Sequence, residues 1–133
     1  MKSLQLSIYT PEGKEFDDEV DFVQVHTSDS YLGILPEHAP LISDVIISKL
    51  LVRKNGVDEA FAVGEGVLNV KHNEVKLIVS SLERASEIDV DRALAAKQRA
   101  EERLSRVDSK DVDIARAKAA LARALNRIAV SGK

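Results

Sequence analysis

Hydrophobic and polar positions alternate through most of the chain and then change period. Leu4, Leu6 and Ile8 are separated by polar neighbours, the period of two expected of a strand with one buried face. Pro11-Glu12-Gly13 turns the chain, and "EVDFVQVHT" follows as a second run. "ISKLLVRKNGVDEAFAV" holds two runs joined at Lys54-Asn55-Gly56; an Asn-Gly pair between alternating segments is a strong hairpin signal, because both residues tolerate positive φ. "VLNVKHNEVKLIVSS" repeats the arrangement around His72-Asn73, with Val75, Leu77 and Val79 on one face. Short strands punctuated by turns about every ten residues predict an antiparallel sandwich or barrel.

Near Ser86 the period becomes helical. Ser86 and Asp89 stand at capping spacing, alanine-rich sequence follows, and no Gly or Pro occurs from Ile88 to Val107. "VDSKD" interrupts the pattern, and a second helix is predicted from about Asp111 to Val130. Two helices on a short connection form an antiparallel hairpin. Its predicted seam sets Ala93, Ala96, Ala100, Leu104 and Val107 against Ile114, Ala117, Leu121, Leu125 and Ile128. Alanines permit close approach but bury little area, at ~25 cal/mol per Å², so a marginally held hairpin, able to open, is expected. The chain thus divides into residues 1–85 and 86–133.

One stretch fits neither period. In "SYLGILPEHAPLI", Pro36 and Pro40 exclude a helix and a central strand. The loop carrying Gly33, Pro36, His38 and Pro40 is therefore rigid and shaped, with Ile34, Leu35, Leu41 and Ile42 expected to pack around it. Rigid loops on a scaffold are where partners bind.

Composition removes several functions. The 133 residues are 44% hydrophobic, which suits a folded chain rather than a disordered one. With no cysteine, disulfides and thiolate metal sites are excluded. Aromatic content is 4% with no tryptophan, which argues against stacking platforms for single-stranded nucleic acid. No apolar run approaches the ~20 residues of a membrane span, and "MKSLQLSIYT" lacks a signal-peptide layout. The expected location is the cytoplasm, or the cytoplasmic face of a membrane reached through a protein partner.

Charge separates the two parts. Residues 1–87 carry 8 Lys/Arg against 15 Asp/Glu, residues 88–133 carry 11 against 7, and no acidic side chain follows Asp113. Arg116, Arg123 and Arg127 share one face of the second helix, roughly opposite its apolar stripe, and Arg92, Arg99, Arg103 and Arg106 form a row on the first. Solvated helix faces usually mix signs at i,i+4; the second helix has no compensating acids along its row, which favours an anionic partner. An acidic protein segment, a phosphate-bearing ligand, nucleic acid and an anionic membrane are the classes to consider. The acidic first part and the scarcity of aromatics disfavour nucleic acid, and an alanine-rich apolar side without Trp or Phe disfavours membrane insertion.

Catalysis finds no support. His26, His38 and His72 lie in separate strands or loops without ligand spacing, and there is no P-loop, glycine-rich phosphate cradle or nucleophile elbow. Asp17-Asp18 reads as a solvated pair in a turn.

"LGILPEHAPL", "FAVGEGVLNV", "IDVDRA" and "ALARALNRIAV", in that order along the chain, resemble the epsilon subunit of bacterial F-type ATP synthase. The resemblance covers essentially the whole chain. It implies an N-terminal antiparallel β-sandwich that docks on the gamma subunit and the c ring. It also implies a C-terminal two-helix hairpin that folds down or extends toward the alpha and beta subunits, restraining ATP hydrolysis when extended. Gly33, Pro36, His38 and Pro40 then belong to the loop facing gamma and the c ring, with His38 as contact, and Arg116, Arg123 and Arg127 face the beta subunit. "IDVDRA" is similar to the nucleotide-binding motif of relatives whose folded hairpin holds ATP. That likeness implies a site of Glu83, Arg84, Ile88, Asp89, Arg92, Ala93, Arg99, Arg123 and Arg127, with ATP a regulatory ligand rather than an obligatory cofactor. Ser30, Tyr31 and Glu65 depart from the family pattern; the first two bear on the c-ring contact and Glu65 on a strand edge. The resemblance makes the chain a non-catalytic rotor subunit at the cytoplasmic face of the cell membrane. A free-standing ATP-binding sensor is the alternative, and a basic-helix adaptor for nucleic acid or lipid a third.

Overall fold

Alternating Leu, Ile and Val positions fold into two five-stranded sheets in the computed structural model, which describes residues 2–106 and 111–132. The strands are β1 (Leu4–Thr10), β2 (Gly13–Val20), β3 (Phe22–His26), β4 (Tyr31–Ile34), β5 (Leu41–Val45), β6 (Ser48–Lys54), β7 (Val57–Val63), β8 (Gly66–Lys71), β9 (Glu74–Val79) and β10 (Leu82–Arg84). One sheet has the order β2-β1-β9-β8-β5 and the other β10-β7-β6-β3-β4. The resulting core is wholly apolar: Leu4, Leu6, Ile8, Leu68, Val70, Val75 and Leu77 from the first sheet and Val23, Val25, Ile34, Leu50, Val52 and Phe61 from the second. Phe16 and Phe61 cross between the sheets edge to face, with ring centres 5.8 Å apart.

Pairing is antiparallel except between β1 and β9, which run parallel. Both strands are buried on one face only, so nothing in their residue pattern distinguishes a parallel neighbour. The Asn55-Gly56 and His72-Asn73 turns have positive φ at both central residues, as tight two-residue hairpins require.

Two expectations about the strands need correction. "EVDFVQVHT" is not one strand. The buried positions Val20 and Val23 are three apart, a slip in the period of two, and the chain passes at Asp21 from one sheet to the other. Asp21 N–H donates to the Arg53 carbonyl at 2.8 Å and its carboxylate accepts the Asn55 N–H, fixing the crossing. Asp17 and Asp18 lie inside β2 rather than in a turn, where their carboxylates reach Lys14 and Lys54 at 3.0 and 2.5 Å.

The chain divides into two units, Met1–Arg84 and Ala85–Lys133. The second opens with a 3-10 turn, Ala85–Glu87, and holds two helices, α1 (Val90–Ser105) and α2 (Asp111–Ser131). Asp89, not Ser86, caps α1, its carboxylate accepting the Arg92 N–H at 3.1 Å. Ala93 and Ala100 of α1 and Ala117 and Ala124 of α2 are buried, each pair seven apart. Leu125, expected in the seam, is 46% exposed; Ala124 and the half-buried Ile114, Leu121 and Ile128 fill the stripe instead. Val107 lies outside the described residues. No helix of the described residues is long and apolar enough to cross a membrane.

Candidate functional site

The proline-rich loop joins β4, at the edge of one sheet, to β5, at the edge of the other. Pro36 fixes φ, Glu37 takes φ +72°, and His38 N–H donates back to the Leu35 carbonyl at 3.2 Å, a tight turn. Glu37 N–H donates to Asn73 Oδ1 at 2.6 Å, Asn73 Nδ2 donates to Glu37 Oε1 at 3.1 Å, and Lys2 Nζ lies 2.8 Å from that oxygen. Lys2 above all, and Asn73 after it, hold the Glu37 carboxyl below the usual carboxylate range. His38 Nδ1 donates to the Ala39 carbonyl at 2.7 Å. Glu37, His38, Ala39, Pro40, His72 and Asn73 line an open depression of about 360 Å³.

Of the apolar residues expected to pack around the loop, Ile34 is buried and Leu41 half-buried. Leu35 and Ile42 instead turn outward, 59% and 73% exposed. Each stands one step from a core position in strand phase, so the alternation that buries Ile34 exposes its neighbour. Gly33 packs against Phe22: a Cβ there would lie 3.0 Å from the ring, which would have to shift by a few tenths of an ångström. Ser30 closes a turn with Thr27, whose N–H donates to the Ser30 carbonyl at 2.8 Å. Tyr31 sets its ring edge-to-face with His26, and the Glu65 carbonyl accepts the Ser80 N–H at 2.9 Å.

The outer face of the first sheet carries an apolar patch that alternation alone hides. Ile78 and Val67 pair across β9 and β8 and are 54% and 47% exposed. Tyr9, opposite Ile78 on β1, lies between Lys14 and Lys76. The available signal was Ile78 at an outward position between Leu77 and Val79.

The arginine residues divide. Arg92, Arg99, Arg103, Arg106 and Arg116 are exposed, while Arg123 and Arg127 are half-buried and already engaged. Ile88 and Ala93, the apolar residues expected at a nucleotide, are 2% and 0% exposed. Asp89 is occupied as a cap. Glu83 and Arg84 belong to β10, in the first unit; Arg84 pairs with Glu59 and lies 5.3 Å from the Phe61 ring centre and 6.0 Å from that of Phe16. Among the described residues no group of three or more His, Cys, Asp or Glu is arranged to hold a metal.

Residues 3–85 match the family described as the ATP synthase delta/epsilon chain β-sandwich domain, and residues 86–132 match its long α-helix domain. Among curated relatives, the ATP synthase epsilon chain of Bacillus licheniformis is 41% identical over 131 residues, covering 98% of this chain and 99% of that one. That of Desulforamulus reducens is 45% identical over 127 residues, covering 96% of each. Among solved structures, a chain of the Euglena gracilis mitochondrial ATP synthase has a similar fold, with a TM-score of 0.81 at 15% identity over 96% of this chain and 80% of that one. A chain of the Tetrahymena thermophila central stalk and c-ring structure has a TM-score of 0.68 at 13% identity, covering 98% and 97%.

Proposed function

The chain belongs to the ATP synthase delta/epsilon family, and from that premise we propose that it is the central-stalk rotor subunit that joins the catalytic head to the c ring and restrains ATP hydrolysis with its helices. The observation that carries the reading is the contrast in how the two units are held. Residues 4–79 close over Leu, Ile, Val and Phe side chains, many of them wholly inaccessible, while the buried positions of α1 are alanines. A fully buried Leu contributes roughly 1.5–3 kcal/mol and an alanine far less. The sandwich is a fixed dock and the hairpin an arm that opens at small cost.

The dock presents Leu35 and Ile42 beside the braced loop, and Val67 and Ile78 on the first sheet; gamma and the c ring are the partners these surfaces serve. The arm presents Arg116, Arg123 and Arg127 to the alpha and beta subunits, where hydrolysis occurs. The chain itself is non-catalytic and peripheral, on the cytoplasmic face of the cell membrane. Co-purification tests this: the tagged chain retains alpha, beta and gamma. A chain that purifies alone and still binds ATP would instead be a free-standing sensor.

ATP sensing is the finer reading. Arg92, Arg99, Arg123 and Arg127 supply guanidinium groups for a triphosphate, each charge-assisted bond contributing about 1.5–3 kcal/mol. A ligand that prefers the folded hairpin shifts the population toward it by its differential affinity. Calorimetric titration of the isolated chain tests this: heat at millimolar ATP and a higher melting temperature support the site, and neither appearing removes it.

A further inference from the structure

Asn73 sits in the β8–β9 turn, thirty-six positions from Glu37, yet it makes two of the bonds that shape the proline loop. Its backbone carbonyl also accepts the Gln5 N–H at 2.8 Å, tying in the start of β1, next to the segment that carries Lys2. Three segments remote in sequence therefore meet on one side chain and its backbone.

The loop needs such a tie. Glu37 is not glycine and lies at φ +72°, a region that side-chain-bearing residues enter only when something holds them there. Pro36 and Pro40 stiffen the loop on either side but cannot select the sign of φ at Glu37. The Asn73 amide meets Glu37 twice, at its backbone N–H and at its carboxylate, a two-point match that favours the loop conformation seen here. Glu37 in turn sets the direction in which the next residue, His38, leaves the backbone.

We propose that Asn73 is a positioning residue: it clamps the Glu37 backbone, and through it sets the orientation of His38 on the face that meets the c ring. This rests on the reading of that loop as the c-ring contact. His72, the other central residue of the same turn, lines the depression with His38, so the clamp also fixes the spacing of the two imidazoles.

Three variants of the full chain test it, each followed by melting temperature, by hydrogen exchange at the Glu37 amide, and by association with a purified gamma–c-ring complex. Asn73→Gly removes the side chain while retaining a residue at ease at φ +61°. The melting temperature should stay within a few degrees, Glu37 exchange should accelerate, and association should weaken about tenfold, the scale of one or two lost hydrogen bonds. Glu37→Gln with Asn73→Asp reverses donor and acceptor between the side chains and should restore both exchange protection and association. His38→Ala serves as the reference for the loop itself. If His38→Ala weakens association and Asn73→Gly does not, the clamp is overturned and the loop reading stands. If neither variant weakens it, the loop reading is overturned as well. Unchanged Glu37 exchange in Asn73→Gly overturns the clamp whatever association does.

Discussion

Arg84 donates through Nη1 to the Glu59 carboxylate while its guanidinium lies 5.3 Å from the Phe61 ring centre. β10 is paired with β7 there, Arg84 opposite Phe61, so the short last strand is fastened through a side chain as well as its backbone. The partners are 41% and 39% exposed, and solvent screening keeps the ion pair small. Arg84→Ala should lower the stability of the sandwich by about 1 kcal/mol, from the pair and the cation–π contact together. A calorimetric ATP titration of the same variant should match the wild type, because this arginine is committed to Glu59 and Phe61.

Removing residues from Ile88 onward should leave a folded sandwich. Among the described residues, every buried member of the sandwich core lies between Leu4 and Val79. The truncated chain should melt cooperatively and still assemble with gamma, read by circular dichroism and co-purification. Aggregation of the truncated chain would contradict the two-unit account.

Most strands were legible because they bury one face only, and Leu4/Leu6/Ile8 or Val75/Leu77/Val79 leave no other reading. The parallel β1–β9 pair was not, since register between remote strands depends on the whole sheet. The slip at Val20/Val23 was present in the sequence, but it is a single break inside a run of valines. In the hairpin, Leu125 was assigned to the seam on hydrophobicity, whereas close helix approach selects small residues, and Ala124 lies there instead. Pro36 and Pro40 marked the rigid loop. The Asn73–Glu37 tie was invisible, because no local pattern links side chains so far apart in sequence.

Acid should weaken the sandwich in two steps. His26 is held below its ordinary value of about 6.5, first by burial and then by Lys49. Asp17, Asp18, Asp58 and Glu37 are held below the carboxylate range, chiefly by hydrogen bonds from Lys14, Lys54, Arg53 and Lys2 respectively. In every case the folded pKa is lower than the unfolded one, so the unfolded chain binds more protons between the two values. The stability each group contributes is present above its ordinary pKa and is lost as pH falls toward the folded one. Melting temperature should begin to fall below about pH 6.5 and fall again below about pH 4. His26→Gln should remove the first step, and added salt should shrink the second, whose groups are exposed.

Overfilling the hairpin should deepen inhibition. Ala124 is 2% exposed, and Ala124→Leu forces in three carbons where there is no room, a change that costs about 1–3 kcal/mol in a packed interior. The folded hairpin loses that stability and the extended form does not, so hydrolysis by the assembled complex should be slower than with the wild-type chain. A faster rate would mean that the folded form is the inhibitory one.

The most direct measurement is ATP hydrolysis by a reconstituted alpha/beta/gamma complex, alone, with this chain, and with its Arg116→Ala/Arg123→Ala/Arg127→Ala variant. The account predicts that the chain slows hydrolysis and that the triple variant binds the complex yet slows it much less. Equal rates with and without the chain would contradict the account. Full inhibition by the triple variant would contradict the role given to the α2 arginines.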